Sequence, residues 1–414
     1  MKKQVRHILL FALLLGCLAA LFAFQSAAVY RSSDVKYFKR LQRYMDTKPV
    51  QVVDHVVYLP TSDNEGYMVI SYFDSEEAMQ EATRIRIVDE IDGKPVTSVG
   101  VSYLDKRTHY VFSAEPPVAE NVTSIRFSKN TVSLNKYTFS CLPNLTKYKI
   151  PDGVVYLNGA FAWLDNLIAI TIPASVKVIG DHAFSLCTNL KKVVFKGDVE
   201  TIGKYAFSRC TALEKLSLPD SVQEIGREAF VTSGLKSLVV PESCRRITLY
   251  AFSGCPLKYV TFRDVNHNHM IIIGQGVFRN CVNLKKVTFP ANAKLVSLRD
   301  DVFEGCSALH VIVNAEVVRE IYDNAFENCA ALERFTVSAK AKTIRPDAFL
   351  GCSGLKQVKI LCKNTAFLAT DDAGTNFTAR LPQSCRIYVK TASVARALYA
   401  GGCKCPVAVK ADLK

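Results

Sequence analysis

The stretch that decides the fold is residues 179–195, which read IGDHAFSLCTNLKKVVF. The pattern I-G-x-x-A-F-x-x-C-x-x-L-x-x-V-x-I-P recurs along the chain, and its phenylalanine is the clearest marker. Ten phenylalanines hold this position at intervals of 22 to 26 residues: Phe139, Phe161, Phe184, Phe207, Phe230, Phe252, Phe278, Phe303, Phe326 and Phe349. A fixed period of this length predicts a solenoid, in which each unit buries its apolar side only against its neighbours.

The quoted unit also predicts its own local structure. The V-x-I segment alternates inward and outward residues, which is typical of a short strand. Phe184, Cys187 and Leu190 lie three residues apart, which favours one tight helical turn with these side chains inward. We therefore predict a leucine-rich repeat solenoid of about ten to twelve coils of 22–26 residues, with one parallel sheet and short helical turns. The ten rings would stack through its core at the strand spacing of about 4.8 Å.

The N-terminus reads as an export segment. Residues 1–28 combine a basic start (Lys2, Lys3 and Arg6) with an unbroken apolar run and small residues suited to cleavage. The run is close to the shortest length that can span a bilayer, so a retained N-terminal anchor is the alternative to a cleaved signal peptide. The sequence predicts a secreted or cell-surface protein in either case.

The remainder divides into three parts. Residues 29–115 form an entry or capping region that begins with a predicted amphipathic helix at 33–46. Repeats follow over 116–360, and the Ala- and Cys-rich segment 361–414 reads as a closing cap. Apolar residues make up 49% of the chain and charged residues 22%, which excludes a disordered protein. The net charge of +14 favours anionic partners.

These motifs resemble the BspA-like leucine-rich repeat surface protein family. The repeats at 202–218 and 225–240 carry its pattern, IDGKPVTSVG at 91–100 is similar to its entry segment, and CRIYV at 385–389 is similar to its closing segment. The resemblance implies an exported solenoid that holds matrix, mucosal or cell-surface partners. It implies neither catalysis nor a particular ligand.

The cysteines are interpreted mainly as packing residues. Seven hold one repeat position, where a small apolar side chain fits a crowded turn, and we expect free thiols there: Cys187, Cys210, Cys255, Cys281, Cys306, Cys329 and Cys352. Four other cysteines lie outside this repeat position: Cys362, Cys385, Cys403 and Cys405. One disulfide between two of them, which would cross-link the C-terminal cap, is an open alternative.

Other reactive residues do not combine into a site. Cys403 and Cys405 lack the spacing of a zinc site, and His267 and His269 fall in the extra residues of a long repeat. A Cys187–His182 pair would lack an orienting third group. Phosphate-loop, zinc-protease and serine-hydrolase motifs are absent from the sequence. We expect no enzyme activity, no catalytic residues, no metal and no cofactor.

Basic residues recur just after the repeat leucine, where they would form an outward stripe. Its candidate ligand-binding members are Lys147, Lys149, Lys191, Lys192, Lys215, Lys236, Lys258, Lys285, Lys286, Lys356 and Lys359, and Arg334 also lies in the stripe. In-phase coils would place neighbouring charges about 5 Å apart, inside the screening length of about 8 Å. The stripe predicts acidic glycans or acidic protein patches as partners, although a merely solvated face is the plainer interpretation.

The favoured function is therefore non-enzymatic binding or adhesion through the solenoid, with protein or glycan ligands. The alternative is a structural envelope or spacer protein that contacts anionic polymers of its own cell. Nucleic acid is not expected as a partner, because the strands present few outward aromatic residues for base stacking. A membrane is expected to contact the protein only through an uncleaved N-terminal segment.

Overall fold

A computed structural model describes residues 37–100, 118–136, 138–145, 148–264, 271–291, 293 and 296–413. The predicted export segment 1–28, Lys147, His267 and His269 lie outside these residues. The chain divides into two compact units: unit 1 comprises residues up to Thr131 together with Tyr137–Lys147, and unit 2 comprises Val132–Lys136 and Tyr148–Lys414. None of the helices in the described residues has the length and apolar character needed to span a bilayer.

Unit 1 contains two helices and short strands. In chain order these are α1 (37–45), β1 (Gln51–Val53), β2 (Val56–Pro60), β3 (Tyr67–Ser71), α2 (Glu76–Glu81), β4 (Arg84–Arg86), β5 (Glu90–Ile91), β6 (Lys94–Val99) and β7 (Ser124–Arg126). Helix α1 falls within the predicted 33–46. It packs Tyr37, Leu41 and Tyr44 against inward residues of β2 and β3. Strand β3 pairs with β2 antiparallel and with β6 in parallel, while β4 and β7 form a separate parallel pair.

Unit 2 is the solenoid. Its strands are β8 (Ser133–Leu134), β9 (Tyr156–Leu157), β10 (Ala169–Ile172), β11 (Val178–Ile179), β12 (Lys192–Phe195), β13 (Thr201–Ile202), β14 (Glu224–Ile225), β15 (Ser237–Val240), β16 (Arg246–Ile247), β17 (Tyr259–Phe262), β18 (Ile271–Ile273), β19 (Lys286–Thr288), β20 (Val296–Leu298), β21 (Val311–Val313), β22 (Val318–Ile321), β23 (Arg334–Val337), β24 (Thr343–Ile344), β25 (Gln357–Ile360), β26 (Arg386–Val389) and β27 (Val407–Val409). Helix α3 (Ala392–Ala400) and two 3-10 helices, Ala315–Val317 and Phe377–Arg380, complete it.

The predicted parallel sheet is confirmed, but its strands are distributed differently from the prediction. The longest sheet of unit 2 runs β8-β9-β11-β13-β14-β16-β18-β20-β22-β24 and is built on the isoleucine of the I-G dipeptide. The V-x-I strands form three smaller parallel sheets instead of one: β10-β12, β15-β17-β19-β21 and β23-β25-β26-β27. One division falls at 215–218, which is not a strand, and the other at Asn314, whose left-handed backbone precedes the 3-10 helix Ala315–Val317.

The A-F-x-x-C segment is a series of β-turns where the sequence predicts a helical turn. The backbone N–H groups of Ser185 and Cys187 donate to the carbonyls of His182 and Phe184, at 3.1 and 3.2 Å. His182 and Leu186 adopt left-handed φ values of 58° and 63°, which a helix does not contain. Alternate N–H groups therefore point to the next coil, where Phe184 N donates to Ala206 O at 2.7 Å. The turns thereby hydrogen-bond coil to coil, as strands do.

Close stacking at these turns explains the glycine of the I-G dipeptide. A Cβ placed on Gly180 would lie 2.7 Å from the carbonyl oxygen of Leu157, and one on Gly203 would lie 2.7 Å from the backbone of Gly180. The coils can approach this closely only where no side chain intervenes.

All ten repeat phenylalanines are completely buried. From Phe161 to Phe349 they form a continuous stack in unit 2, with centroids of neighbouring rings 4.9–5.8 Å apart and planes tilted by 2–15°. Each buried ring contributes about 1.5–3 kcal/mol through the hydrophobic effect, so the stack is a main source of stability. The in-phase stacking also fixes which surface side chains lie side by side.

Candidate functional site

The outward positions of the V-x-I strands form the candidate site, which we call the strand face. Its first column is the residue directly after the repeat leucine. Lys258 N donates to Lys236 O at 2.8 Å, and Lys285 N donates to Lys258 O at 2.9 Å. Three lysines therefore follow one another on adjacent coils, at the spacing of paired strands.

The second column adds an exposed aromatic ring beside these lysines. Tyr259 of β17 pairs in register with Lys286 of β19, which pairs with Val311 of β21. Tyr259 is 51% exposed and Val311 46%. We call Lys258, Lys285 and Lys286, which surround Tyr259, the lysine cluster.

Two acidic residues of the strand face neutralise lysines of the predicted stripe. Lys236 Nζ lies 2.5 Å from Glu214 Oε1, and Lys356 Nζ lies 2.6 Å from Glu333 Oε1. Hydrogen bonds from these lysines lower the pKa of Glu214 and of Glu333 below its usual value. The sequence shows Glu214 and Glu333 as interruptions of the stripe, but it does not show that each also removes a neighbouring positive charge.

The remaining lysines divide into a free and a constrained group. Lys149 lies 4.0 Å from Asp152, and Lys359 is half-buried in β25. Within the described part of the chain, the members of the stripe that make no ion pair are Lys191, Lys192, Lys215, Lys258, Lys285, Lys286 and Arg334. Lys191, Lys192 and Lys215 are separated from the lysine cluster by the coil of Lys236, whose charge is paired with Glu214. The predicted single row is therefore divided into separate patches of unpaired charge.

Two shallow cavities open on the strand face. One of about 370 Å³ is lined by Tyr148, Lys149, Thr171 and Lys192. The other, of about 530 Å³, lies at the division between β21 and β23 and is lined by His310, Glu333 and Arg334. Both are also lined by apolar side chains, such as Ile170 and Val194 in the first and Val311 in the second, so each offers a mixed polar and apolar surface.

The thiols take part in packing and not in chemistry. All thirteen cysteines of the described residues are free and buried, so the alternative of a disulfide in the cap is not realised here. Cys187 Sγ donates to the carbonyl of Phe161 at 2.9 Å, and burial raises the pKa of its thiol to about 12. The same bond, to the carbonyl of the repeat phenylalanine one coil earlier, recurs at Cys210, Cys255, Cys281, Cys306, Cys329 and Cys352.

His182 does not activate Cys187. Its ring stacks on Tyr205 with centroids 4.8 Å apart, and burial lowers the pKa of this histidine. In the ranges that the structure describes, no three His, Cys, Asp or Glu side chains are grouped in a way that could hold a metal ion.

Sequence reasoning missed two features of the surface. Tyr259 occupies a column that Ser237, Lys286 and Val311 fill on the other strands of its sheet, and the aromatic residue among them was the available signal. Arg84, Arg86 and Arg126 of unit 1 lie on outward positions of β4 and β7, before the first clear repeat. Their only signal was strand-like alternation.

Stacked coils with a phenylalanine at one fixed position define the protein as a leucine-rich repeat solenoid. The chain belongs to the family of the BspA type leucine-rich repeat region, whose model matches six copies over residues 110–159, 157–270 and 265–370. The resemblance drawn from the sequence is thereby confirmed. No protein of curated function matches the chain in sequence.

Several solved structures are similar to the chain. A leucine-rich repeat protein from Bacteroides ovatus is 20% identical, with a TM-score of 0.54 over 87% of this chain and 99% of that one. The pneumococcal vaccine antigen PcpA is 17% identical, with a TM-score of 0.49 over 88% of this chain and 100% of that one. A leucine rich cell surface protein from Faecalibacterium prausnitzii is 19% identical, with a TM-score of 0.35 over 78% and 96%. The first of these likenesses supports the fold.

Proposed function

We propose that the protein is a non-catalytic binding protein, secreted or held at the cell surface, that recognises acidic glycans through its strand face. The observation that carries the proposal is the lysine cluster, three unpaired lysines around an exposed tyrosine on adjacent coils. Residues 1–28, with their basic start and apolar run, support export.

Electrostatics favours an anionic ligand at this cluster. Two lysine charges about 5 Å apart repel each other by about 0.8 kcal/mol in water, and this cost is relieved when an anion binds between them. Because the coils repeat at a constant spacing, a linear polymer that runs along the solenoid meets one position after another. Sulfate and carboxylate groups of an extended glycan satisfy this geometry.

The exposed side chains of the cluster add contacts that a purely ionic site would lack. Tyr259 offers an aromatic face with a polar tip, which suits the mixed polar and apolar surface of a sugar ring. Val239 of β15, which is 48% exposed, lies on the neighbouring strand opposite Thr261, and Val311 lies beyond Lys286 on β21. Glycans are therefore favoured over simple acidic peptides.

The absence of catalysis is part of the proposal. Burial raises the pKa of the repeated cysteines, such as Cys187, Cys255 and Cys352, so their thiols stay protonated near neutral pH. A protonated thiol does not act as a nucleophile. The solenoid family to which the chain belongs is built for extended surfaces, and the cavities of the strand face are shallow.

The test is binding of the mature chain to immobilised heparin and to a neutral polysaccharide. We expect retention on heparin alone and release at ~1 M NaCl, where the screening length falls to ~3 Å. The variant Lys258→Glu/Lys285→Glu/Lys286→Glu should lose most of the retention. The control Lys177→Glu/Arg245→Glu/Arg246→Glu changes the net charge by the same amount. Its residues lie in, or directly before, strands of the long sheet built on the I-G dipeptide, so this variant should retain most of the binding.

Retention that survives high salt, or that both triple variants weaken equally, contradicts the proposal. A parallel arm with an acidic protein such as a poly-glutamate carrier tests acidic protein patches as ligands. A second arm with isolated cell envelope of the producing cell tests the alternative of a structural envelope or spacer protein. Preference for the cell's own envelope over heparin would favour that alternative.

A further inference from the structure

Unit 1 carries a second concentration of positive charge, on the parallel pair β4–β7. Alternation along β4 buries Ile85 and leaves Arg84 and Arg86 exposed. The register places Arg86 directly opposite Arg126. Like charges directly opposite each other on paired strands are unfavourable, so this arrangement is not explained by folding stability.

These guanidinium groups have little compensation from the protein itself. Among the described residues, Arg84 and Arg86 make no ion pair. Arg126 approaches Asp89 only to 3.8 Å, which is longer than a hydrogen bond. Three donor groups of fixed planar geometry are thus available to an external oxyanion.

The arginines line a groove of about 750 Å³ that lies wholly within unit 1. Its volume is in the range of small-molecule sites, which is about 300–1,000 Å³. Asp54, His55 and Glu81 also line it. Positive and negative side chains therefore share one concave surface.

The turn between β1 and β2 is strained where it borders this groove. Asp54 and His55 form its two central residues with φ values of 47° and 64°, both left-handed. Two-residue hairpin turns of this kind normally carry glycine at the second position. The imidazole of His55 is held by Asp74, with Nδ1 3.1 Å from Oδ1. A strained residue that lines a groove suggests that the histidine is there for function.

We propose that this groove binds one acidic sugar residue, with its carboxylate on Arg86 and Arg126 and its hydroxyl groups on Asp54, His55 and Glu81. Guanidinium groups recognise a planar carboxylate through paired hydrogen bonds. The carboxylates of Asp54 and Glu81 accept hydrogen bonds from hydroxyl groups but repel additional anions. The mixed lining therefore selects a sugar with a single carboxylate over a polymer that is charged at every unit. This site is separate in residues and chemistry from the lysine cluster.

The test is calorimetric titration of the mature chain with glucuronic acid, N-acetylneuraminic acid and glucose. We expect binding of one or both carboxylated sugars and none of glucose. A response to glucuronic acid alone identifies a uronic acid site, and one to N-acetylneuraminic acid alone identifies a sialic acid site. Equal binding of glucose and the acids, or binding of none of the three, overturns the proposal.

Variants assign the binding to the groove. Arg86→Gln/Arg126→Gln should weaken acid-sugar binding about 10- to 100-fold, as expected for loss of charge-assisted hydrogen bonds. Arg40→Gln/Arg43→Gln changes two exposed arginines of α1, is the matched control and should bind like the wild type. If the wild type binds an acid sugar and the double arginine variant binds it with the same affinity, the proposal is overturned.

His55→Gly keeps the test decisive if the arginine variant folds poorly. Glycine relieves the left-handed strain, so this variant should unfold at the same or a higher temperature while it binds the acid sugar more weakly. If the arginine variant misfolds and His55→Gly binds the acid sugar as tightly as the wild type does, the proposed site is wrong. The lysine triple variant should bind the acid sugar normally, which separates failure of this proposal from failure of heparin binding.

Discussion

The turn side and the strand face of each coil differ in how strictly they repeat. On the turn side, typified by 179–187, alanine, phenylalanine and cysteine return coil after coil and are almost completely buried. On the strand face, one column reads Ser237, Tyr259, Lys286 and Val311 over four paired strands. The difference shows that stacking is fixed from the turn side, which leaves the residues of the strand face free to vary from coil to coil.

Truncation of a core ring and of a surface ring tests this division most strongly. Phe230→Ala removes the ring stacked between Phe207 and Phe252 and should lower the free energy of unfolding by about 3–5 kcal/mol. Tyr259→Ala, the matched surface truncation, should change it by about 0.5 kcal/mol or less. Urea denaturation measures both. Similar losses in the two variants would mean that the rings do not carry the stability.

Alkaline pH should destabilise the turn side through its thiols. The pKa of Cys187 is about 12 in the folded protein against 9.0 for a free thiol, so the unfolded chain releases this proton first. The stability that the thiol contributes is complete below pH 9 and is lost as the pH rises towards about 12. The expected slope is about 1.4 kcal/mol per pH unit for each such thiol.

Comparison of the wild type with Cys187→Ala isolates this effect from other titrating groups. The difference between their unfolding free energies should shrink as the pH rises from 9 to 11. A difference that stays constant over this range would show that the thiol ionises equally in both states.

The hydrogen bond from the thiol of each repeated cysteine should contribute less to the free energy of unfolding than a stacked ring does. Cys281→Ala removes the bond from Sγ to Phe252 O, which is 3.2 Å long, and leaves a small void. We expect a loss of about 1–2 kcal/mol in thermal or urea unfolding. Cys281→Ser keeps a donor and should recover part of this loss, since Ser233 already fills the equivalent position beside Cys255. Identical losses for alanine and serine would rule out the hydrogen bond as the cause.

The smallest effect concerns an ion pair on the strand face. Glu214→Gln releases Lys236 to the stripe, so the salt needed to elute the protein from heparin should rise. Stability should change by less than about 1 kcal/mol, because the pair is exposed. Asp220→Asn, which breaks the exposed pair with Arg263, serves as the matched control. An equal rise in the control would mean that only net charge matters.

Much of the fold follows from the sequence because the repeat is strict. The spacing of Phe184, Phe207 and Phe230 fixes the coil length, and the stacking of their rings follows from it. The turn geometry does not follow, since a three-residue spacing suits both a helical turn and successive β-turns. His182 and Leu186 both have a left-handed backbone, although neither is a glycine, the residue that would most clearly predict one.

The site is less predictable than the fold for a physical reason. Outward positions of the lysines follow from strand alternation, but the pairing of Lys236 with Glu214 depends on side-chain conformations between coils. The division between β21 and β23 depends on the local backbone at Asn314, which the repeat period does not encode. Arg86 and Arg126 lie 40 residues apart, so their juxtaposition requires the register of β4 with β7.

Chemical footprinting of lysines on the heparin-bound protein tests the central claim most directly. Each Nζ is acetylated with and without heparin, and the modified sites are read by mass spectrometry. Lys258, Lys285 and Lys286 should become the most strongly protected positions, while Lys177 and Lys204 should react as in the free protein. Uniform protection of all these lysines, or protection confined to Lys177 and Lys204, would contradict the assignment of the strand face as the binding surface.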